Sequence, residues 1–280
     1  MKEIFWRYVV LSRYRFWLYL AGTYLVGFSF GSNRLSLFLT WHFWAFFAYF
    51  FFVANIFLYG INDYHDRDTD QYNHKKGTKE LFLQDQQRHQ LKKVLLAIAA
   101  GSLLLFLTGT LLEFFLGTLF IFLAWGYSSP PLRFKAKPFV DFASNILYIL
   151  PGVIGFLQAS GHLPPWDIIA AAALWTSGMH LFSAIPDISS DRKAHLKTTA
   201  VLLGPRRSLL LCFGLWLASI ILITIHQERI FWFILGLPYL LIPLVLEAGR
   251  YERVGQVYWL FPYINGTIGF LLFVISRLLT

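Results

Sequence analysis

Several stretches of this 280-residue chain contain no charged side chain over the length of a membrane-spanning helix. The residues between Asp141 and Trp166 are uncharged, and so are those from Ser208 to Gln227. An α-helix needs roughly 20 apolar residues to cross a bilayer, and it satisfies its own backbone hydrogen bonds there. A composition that is 57% hydrophobic is too apolar for a soluble domain of this length. We therefore predict an all-α polytopic membrane protein.

The apolar runs predict nine transmembrane helices in one bundle, which forms a single integral-membrane domain over residues 1–280. The predicted spans are roughly 16–30, 38–59, 94–112, 114–127, 139–158, 167–185, 208–225, 230–248 and 257–276. With a cytoplasmic N-terminus, all 24 Lys and Arg residues fall on the cytoplasmic side except Arg34, Arg229 and Arg277. This asymmetry is what the positive-inside rule predicts.

The formal charge of +9 does not indicate a nucleic-acid-binding protein. The basic residues are spread over loops beside the membrane and do not form one groove. Their expected partner is membrane lipid, and a few of them could bind an anionic substrate. Cys212 is the single cysteine and lies in an apolar span, which excludes disulfides and cysteine-based metal sites.

The densest cluster of acidic residues follows the second predicted span. Asp63, Asp66, Asp68 and Asp70 fall within nine residues that begin at Asn62, in a chain of which only 14% is charged. Asn62, Asp66 and Asp70 are spaced four apart, so a helix would place them on one face. Neighbouring carboxylates repel one another unless a cation or a proton lies among them. The cluster indicates a metal site, with a solvated loop as the alternative interpretation.

A second acidic pair, Asp187 and Asp191, repeats the four-residue spacing directly after the sixth predicted span. Four spans separate the two sets, so both are expected on the same side of the membrane. Carboxylate and amide oxygens suit Mg²⁺ or Mn²⁺, and magnesium usually binds substrate phosphates as well. A phosphorylated substrate is therefore expected. A cation transporter is the alternative from another class, but its acidic residues would be expected near mid-membrane.

A stiff basic segment follows the fourth predicted span. Pro130 and Pro131 are expected to stop the helix and to hold the chain extended, so that Arg133, Lys135 and Lys137 project from it. An ordinary basic loop on the cytoplasmic side is the competing interpretation.

Three local features inside the spans can also be predicted. Gly27 and Gly31 are four apart and indicate a close helix contact. Asn145 and the following Pro151 predict a kink in the fifth span, next to a polar group. The eight histidines show no metal-ligand spacing, and His180 in the sixth span is interpreted as a structural residue.

The acidic sets resemble the two aspartate-rich motifs of the UbiA superfamily of intramembrane prenyltransferases. The resemblance rests on Asn62-x-x-x-Asp66-x-x-x-Asp70 with Asp187-x-x-x-Asp191, and it extends over nearly the whole chain. It implies that the four aspartates, supported by Asn62, hold Mg²⁺ and a prenyl diphosphate at the cytoplasmic mouth of a helical bundle. It also implies transfer of the prenyl group to a hydrophobic acceptor among the helices.

A finer resemblance points to the lycopene elongase branch, which makes longer carotenoids. It lies in Tyr127-Ser-Ser-Pro-Pro-Leu-Arg-Phe-Lys-Ala-Lys-Pro-Phe-Val-Asp141, Ala184-Ile-Pro-Asp187 and Thr198-Thr-Ala200. The first part of this element also occurs in chlorophyll synthases, and His195 stands where the second motif usually has a glycine. The resemblance implies dimethylallyl diphosphate as donor and lycopene or a related carotenoid as acceptor. The alternative acceptors are a quinone precursor, chlorophyllide or a lipid.

Further residues are candidates for binding the two substrates. The candidates to bind diphosphate oxygens are Asn62, Arg133, Lys135, Arg192 and Lys193. The candidates near the acceptor or the carbocation are Tyr127, Asp141 and Asn145. A proton must leave the cationic adduct, or water must cap it, and Tyr127, Asp141 or the released diphosphate could accept that proton. The expected location is the plasma membrane of a prokaryote, with the site loops on the cytoplasmic side.

Overall fold

The computed structural model describes residues 2–66, 83–249 and 251–279, which are mostly helical with no strand among them. In chain order the α-helices are α1 (Lys2–Leu11), α2 (Trp17–Gly31), α3 (Trp41–Ala48), α4 (Ala54–His65), α5 (Asp85–Phe106), α6 (Leu111–Ser128), α7 (Val140–Ala143), α8 (Leu150–Ser160), α9 (Trp166–Ala184), α10 (Ile188–Lys193), α11 (Thr199–Gln227), α12 (Phe231–Glu247), α13 (Val254–Tyr258) and α14 (Phe261–Leu279). Short 3₁₀ turns occur at Tyr14–Phe16, Leu35–Leu39, Phe134–Ala136, Ser144–Tyr148, Ile185–Asp187 and Tyr251–Arg253, and a π-helical turn, Tyr49–Val53, joins α3 to α4.

Seven stretches of the described residues are helical, long and apolar enough to cross a bilayer. They are Trp41–His65, Gln86–Phe106, Leu111–Ser128, Val140–Ser160, Trp166–Lys193, Thr199–Gln227 and Val254–Leu278, and Phe231–Glu247 is a shorter apolar helix. The predicted all-α membrane architecture is thereby confirmed. The count of nine spans stays a prediction.

Helix α5 begins well before the predicted third span, because polar residues form its first two turns. A capping box between Gln84 and Gln87 starts the helix. Arg88 is buried in these turns and donates to the backbone oxygens of Asp63 and Tyr64, at 2.8 Å each. Polar residues that precede the predicted third span therefore tie α5 to the end of α4.

Glycines bring the backbones of α2 and α8 into direct contact. A Cβ atom at Gly27 would lie 2.0 Å from the carbonyl oxygen of Gly152, and one at Gly155 would lie 2.5 Å from that of Tyr24. A Cβ at Gly31 would lie 2.6 Å from another α8 carbonyl oxygen. The close contact predicted from Gly27 and Gly31 is confirmed, and its partner is α8.

The fifth predicted span is broken into two helices. The 3₁₀ turn Ser144–Tyr148 separates α7 from α8, and Pro151 lies in the first turn of α8. Within the break, the side chain of Asn145 donates to the backbone oxygen of Asp141 at 2.7 Å. The predicted kink beside Asn145 is confirmed.

The buried apolar residues form two clusters. One cluster is built mainly from α2, α3, α4, α5, α6 and α8 around Tyr24 and Phe50. The other is built from α9, α11, α12 and α14 around Phe182, Trp216 and Phe261. Members of both clusters line a single large cavity, so the cavity lies where the two halves of the bundle meet.

Candidate active site

A cavity of about 1120 Å³ lies inside the bundle. Its lining includes Pro165, which precedes α9, and Asp187, which follows it, so the cavity extends along the whole of this helix. At 1.5 Å per residue, the 19 residues of α9 span about 28 Å. The cavity therefore extends over most of the thickness of a bilayer core.

Both acidic motifs contribute to one end of this cavity. Asn62 and Asp66 at the end of α4, and Asp187 and Asp191 beyond the end of α9, all belong to its lining. Four of the five predicted metal ligands thus share one space. The fifth, Asp70, lies outside the described residues.

Asp66 is held by the backbone of α4 and by a buried cation. Its amide donates to the carbonyl oxygen of Asn62 at 3.0 Å, which continues the helical turn and places both side chains on one face. The carboxylate of Asp66 accepts a hydrogen bond from the Lys135 ammonium group, and only 5% and 7% of these two residues are exposed. Since each charge stabilises the other away from water, the pair fixes the basic segment over the cavity.

The basic segment is a turn, so the prediction of an extended chain is wrong. Arg133 has a left-handed conformation with φ of 39°, and the 3₁₀ turn Phe134–Ala136 follows it. Lys135 is directed into the cavity, while Lys137 is exposed with its ammonium 5.9 Å from the Phe134 ring centre. The basic side chains do not project at alternating positions, as they would from an extended chain, because the chain forms a turn here.

The other predicted diphosphate-binding cations lie elsewhere. Arg192 and Lys193 are exposed on α10, and Arg133 is half-buried. Among the described residues that line the cavity, none of these three is present. Their role in binding the diphosphate stays a prediction.

Arg13 is a cavity residue that was not predicted from the sequence. Its guanidinium lies 3.1 Å from the carboxylate of Asp63, which is 1% exposed, and 4.7 Å from the Tyr59 ring centre. In the sequence it is one of several arginines before the first span, and nothing in its spacing separates it from a topology determinant. The same contact gives Asp63 a structural role, since it joins the start of α2 to α4.

The second motif is carried by short helical turns. Asp187 ends the 3₁₀ turn Ile185–Asp187, and Asp191 lies one turn later in α10. Asp191 accepts a hydrogen bond from the Thr198 hydroxyl at 3.3 Å. His195 then adopts a left-handed φ of 55°, which explains the expectation of glycine at this position.

Asp141 lines the cavity, but its carboxylate is engaged by backbone and hydroxyl donors. The amide and the hydroxyl of Thr199 each donate to it at 2.6 Å, and the Phe142 amide donates at 2.9 Å. Only 1% of Asp141 is exposed. The carboxylate therefore fixes the start of α11 against α7.

Tyr127 and His180 meet on the wall of the cavity. The Tyr127 hydroxyl lies 3.1 Å from Nε2 of His180, and the two rings are almost perpendicular at a centroid distance of 5.6 Å. Sequence reasoning found Tyr127 but treated His180 as structural, because one histidine in an apolar span carries no spacing signal.

Aromatic rings surround the cavity next to the acidic end. Phe16 lies 5.3 Å from Tyr19 and 6.2 Å from both Tyr59 and Tyr258, measured between ring centres. The hydroxyl of Tyr59 lies 3.4 Å from that of Tyr148. The sequence alone could not identify these rings among the many aromatic residues of the chain.

The arrangement suits a cation that bridges protein oxygens to a phosphorylated ligand. Asn62, Asp66, Asp187 and Asp191 supply hard oxygen donors to the same cavity. Within the described ranges, no three Asp, Glu, His or Cys side chains converge closely enough to enclose a metal by themselves. Magnesium binds through a few carboxylates and completes its shell with water and substrate phosphates.

Comparison with known proteins identifies relatives over nearly the full chain. Residues 4–263 match the UbiA prenyltransferase family. The chain is 39% identical to the lycopene elongase/hydratase of Haloferax volcanii over 94% of this chain and 86% of that protein. It is 40% identical to the lycopene elongase/hydratase of Halobacterium salinarum over 93% of each chain.

Solved structures share the fold. A UbiA homolog from Archaeoglobus fulgidus bound to GPP and Mg²⁺ superposes with a TM-score of 0.74 at 25% identity, over 97% of this chain and 98% of that one. The same homolog bound to DMAPP and Mg²⁺ also gives a TM-score of 0.74, at 24% identity and the same coverage.

Proposed function

The chain belongs to the UbiA prenyltransferase family, and from this premise we propose that it transfers a dimethylallyl group from dimethylallyl diphosphate to lycopene or a related carotenoid. As a member of this family it is a prenyltransferase and an integral membrane protein. The observation that carries the finer proposal is the cavity, which joins an acidic end to a long apolar interior. Its volume of about 1120 Å³ slightly exceeds the usual range for small-molecule sites, as a large acceptor requires.

The acidic end would hold Mg²⁺ and the diphosphate through Asn62, Asp66, Asp187 and Asp191, together with Asp70. Bound magnesium would neutralise charge on the leaving diphosphate. Lys135 is buried beside Asp66 and can donate to a diphosphate oxygen.

Arg13 also lines the cavity and offers a second donor. Both cations are fixed before substrate arrives, so little reorganisation is needed as charge develops on the leaving group.

The rings of Phe16, Tyr59 and Tyr148 would protect the allylic cation that forms when the carbon–oxygen bond breaks. Aromatic faces attract cations, and a cavity that excludes water prevents premature capture by hydroxide or water. A carotenoid double bond then supplies the electron pair for the new carbon–carbon bond. No base is needed to activate such an acceptor.

Two observations favour a carotenoid over the other acceptors. The cavity follows α9 for about 28 Å, which suits a long linear hydrocarbon rather than a compact ring system. The two relatives that are 39% and 40% identical are lycopene elongases/hydratases. Their hydratase name further suggests that water can cap the cationic adduct.

Charge and relatives also support a location. In the predicted topology the basic residues lie mostly on the side of the acidic motifs, which supports a cytoplasmic location of the site under the positive-inside rule. The named relatives come from prokaryotes, so the proposed membrane is the plasma membrane. Membership of an enzyme family argues against the cation-transport alternative.

The test uses purified full-length protein in lipid nanodiscs with Mg²⁺ and radiolabelled dimethylallyl diphosphate. Lycopene, a quinone precursor, chlorophyllide and an isoprenoid lipid are offered as separate acceptors. We expect label in a lycopene product, and no transfer after chelation of Mg²⁺. Transfer to another acceptor in preference to lycopene would refute the carotenoid assignment while leaving the family chemistry intact.

A further inference from the structure

The proposed reaction releases a proton that no residue has yet been assigned to accept. Attack by the acceptor double bond forms a carbon–carbon bond to the dimethylallyl group and leaves a positive charge on an acceptor carbon, while diphosphate departs with the electrons of the broken carbon–oxygen bond. The charge is removed when a carbon–hydrogen bond becomes a new double bond or when a water oxygen adds. Either route releases one proton inside the cavity.

Asp141 is a poor candidate for this base. Both of its carboxylate oxygens are occupied by donors, two from Thr199 and one from the Phe142 amide, at 2.6 to 2.9 Å. Accepting a proton would disrupt the contacts that position the start of α11. Asp141 therefore serves the site by holding its wall in place.

The pair of Tyr127 and His180 has a geometry suited to proton transfer. The hydroxyl oxygen and Nε2 are 3.1 Å apart, within hydrogen-bond distance, and both side chains line the cavity. In the described part of the chain, Tyr127 is the one hydrogen-bond partner of the His180 ring. A tyrosine hydroxyl can accept a proton on its oxygen while it gives its own proton to an imidazole nitrogen.

The position of the pair fits the place where the proton is released. His180 precedes Asp187 by seven residues, which corresponds to about 10 Å along a helix axis. His180 thus lies deeper in the cavity than Asp187, on the side where the acceptor would extend.

We propose that Tyr127 and His180 are the base of the reaction, a step that rests on the proposed prenyl transfer. The Tyr127 oxygen takes the proton from the adduct or from the water that adds to it, and the Tyr127 hydroxyl proton passes to Nε2 of His180. The positive charge moves from the substrate to the imidazole, so the net charge of the cavity is unchanged. Tyr127 thereby contacts the reacting atoms, and His180 acts through it.

The test compares His180→Ala, Tyr127→Phe and the double variant with the wild-type protein in the lycopene assay. General acid–base catalysis contributes about 10² to 10⁴-fold, so each single variant should lower kcat by about 100-fold. The KM for dimethylallyl diphosphate should stay within about twofold, because the pair acts after the diphosphate binds. The double variant should be no slower than the single variants, since both remove one unit.

Added imidazole provides the readout that a structural role would not show. Imidazole should raise the kcat of His180→Ala about tenfold. It should not raise the kcat of Tyr127→Phe, because that variant lacks the hydroxyl that relays the proton. His42→Ala is the matched control, because His42 lies on α3 and outside the cavity lining. Its kcat should equal that of the wild type, with and without added imidazole.

Four results would overturn the assignment. If His180→Ala keeps the wild-type kcat, His180 is not part of the base. A slow variant with a lowered melting temperature and no response to imidazole would show a structural role instead. If the wild-type protein transfers no label to lycopene, the proposed function fails and the inference fails with it. If the wild type is active but the losses of the two single variants multiply in the double variant, only the assignment of Tyr127 and His180 as one base is refuted.

Discussion

The two acidic motifs share a four-residue spacing but differ in how the protein holds them. Asp66 is almost fully buried and paired with Lys135, and it sits on a helix end that Arg88 fastens to α5. Asp187 and Asp191 are half-buried on short helical turns, next to a residue with left-handed backbone. Asp66 is thus part of the core, while Asp187 and Asp191 form the rim of the site.

This difference teaches that equal spacing does not mean equal function. A buried ion pair costs desolvation and is tolerated only while both partners remain. A half-buried carboxylate keeps part of its hydration, so removing it should cost less folding free energy than breaking a buried ion pair. The two motifs should therefore respond differently to the same substitution.

The largest expected effect comes from the rim. Asp187→Ala should lower prenyl transfer by about 10³-fold, because it removes an oxygen donor at the point where charge develops. The melting temperature should stay close to that of the wild type. Steady-state assays and thermal unfolding in nanodiscs measure both, with the exposed Glu252→Ala as control. Activity within threefold of wild type would remove Asp187 from the site.

The core motif should lose stability as well as activity. Asp66→Ala leaves Lys135 buried without this partner, and breaking such a pair costs about 3–5 kcal/mol. The double variant Asp66→Asn with Lys135→Met should recover stability but not activity. Thermal unfolding distinguishes the cases, and equal melting temperatures for Asp66→Ala and Asp187→Ala would remove the contrast between core and rim.

A smaller effect tests whether Asp63 is structural. Asp63→Asn weakens the contact to Arg13, and hydrogen bonds to charged groups are worth about 1.5–3 kcal/mol. We expect a lower melting temperature and an unchanged dependence of activity on Mg²⁺ concentration. A large rise in the Mg²⁺ concentration needed for half-maximal rate would instead make Asp63 a ligand.

The smallest effect concerns the backbone of the rim. His195 occupies a left-handed conformation with φ of 55°, which costs a non-glycine residue energy that glycine avoids. His195→Gly should stabilise the protein by about 0.5 kcal/mol after the entropy cost of glycine is subtracted. Ala194→Gly, at the C-cap of α10 with a negative φ of −83°, should destabilise it instead, because this position does not need the freedom of glycine. A lower melting temperature in His195→Gly would show that the imidazole makes contacts that outweigh strain.

The sequence predicted what depends on local pattern. Uncharged runs indicated membrane helices, and four-residue spacing identified Asn62, Asp66, Asp187 and Asp191, which all line one cavity. The glycine contact and the kink at Asn145 were also predictable, because each depends on the chemistry of one or two residues.

The remaining features depend on contacts between distant segments. Arg13 lines the cavity and pairs with Asp63, 50 positions away, and no local pattern reports that meeting. Tyr127 and His180 are 53 positions apart. The turn at Lys135 depends on the buried carboxylate of Asp66, so the paired prolines alone predicted the wrong conformation.

The glycine contact between α2 and α8 also affects how this enzyme can be redesigned. Gly22, Gly27 and Gly152 belong to the cavity lining, so main chain forms part of this wall. A side chain at Gly27 has no space, because the Gly152 carbonyl oxygen would lie 2.0 Å from its Cβ. Attempts to change the acceptor preference should therefore substitute cavity-lining residues of α9 and α12. Gly27 on α2 should be left unchanged, because a larger residue there would push α2 and α8 apart.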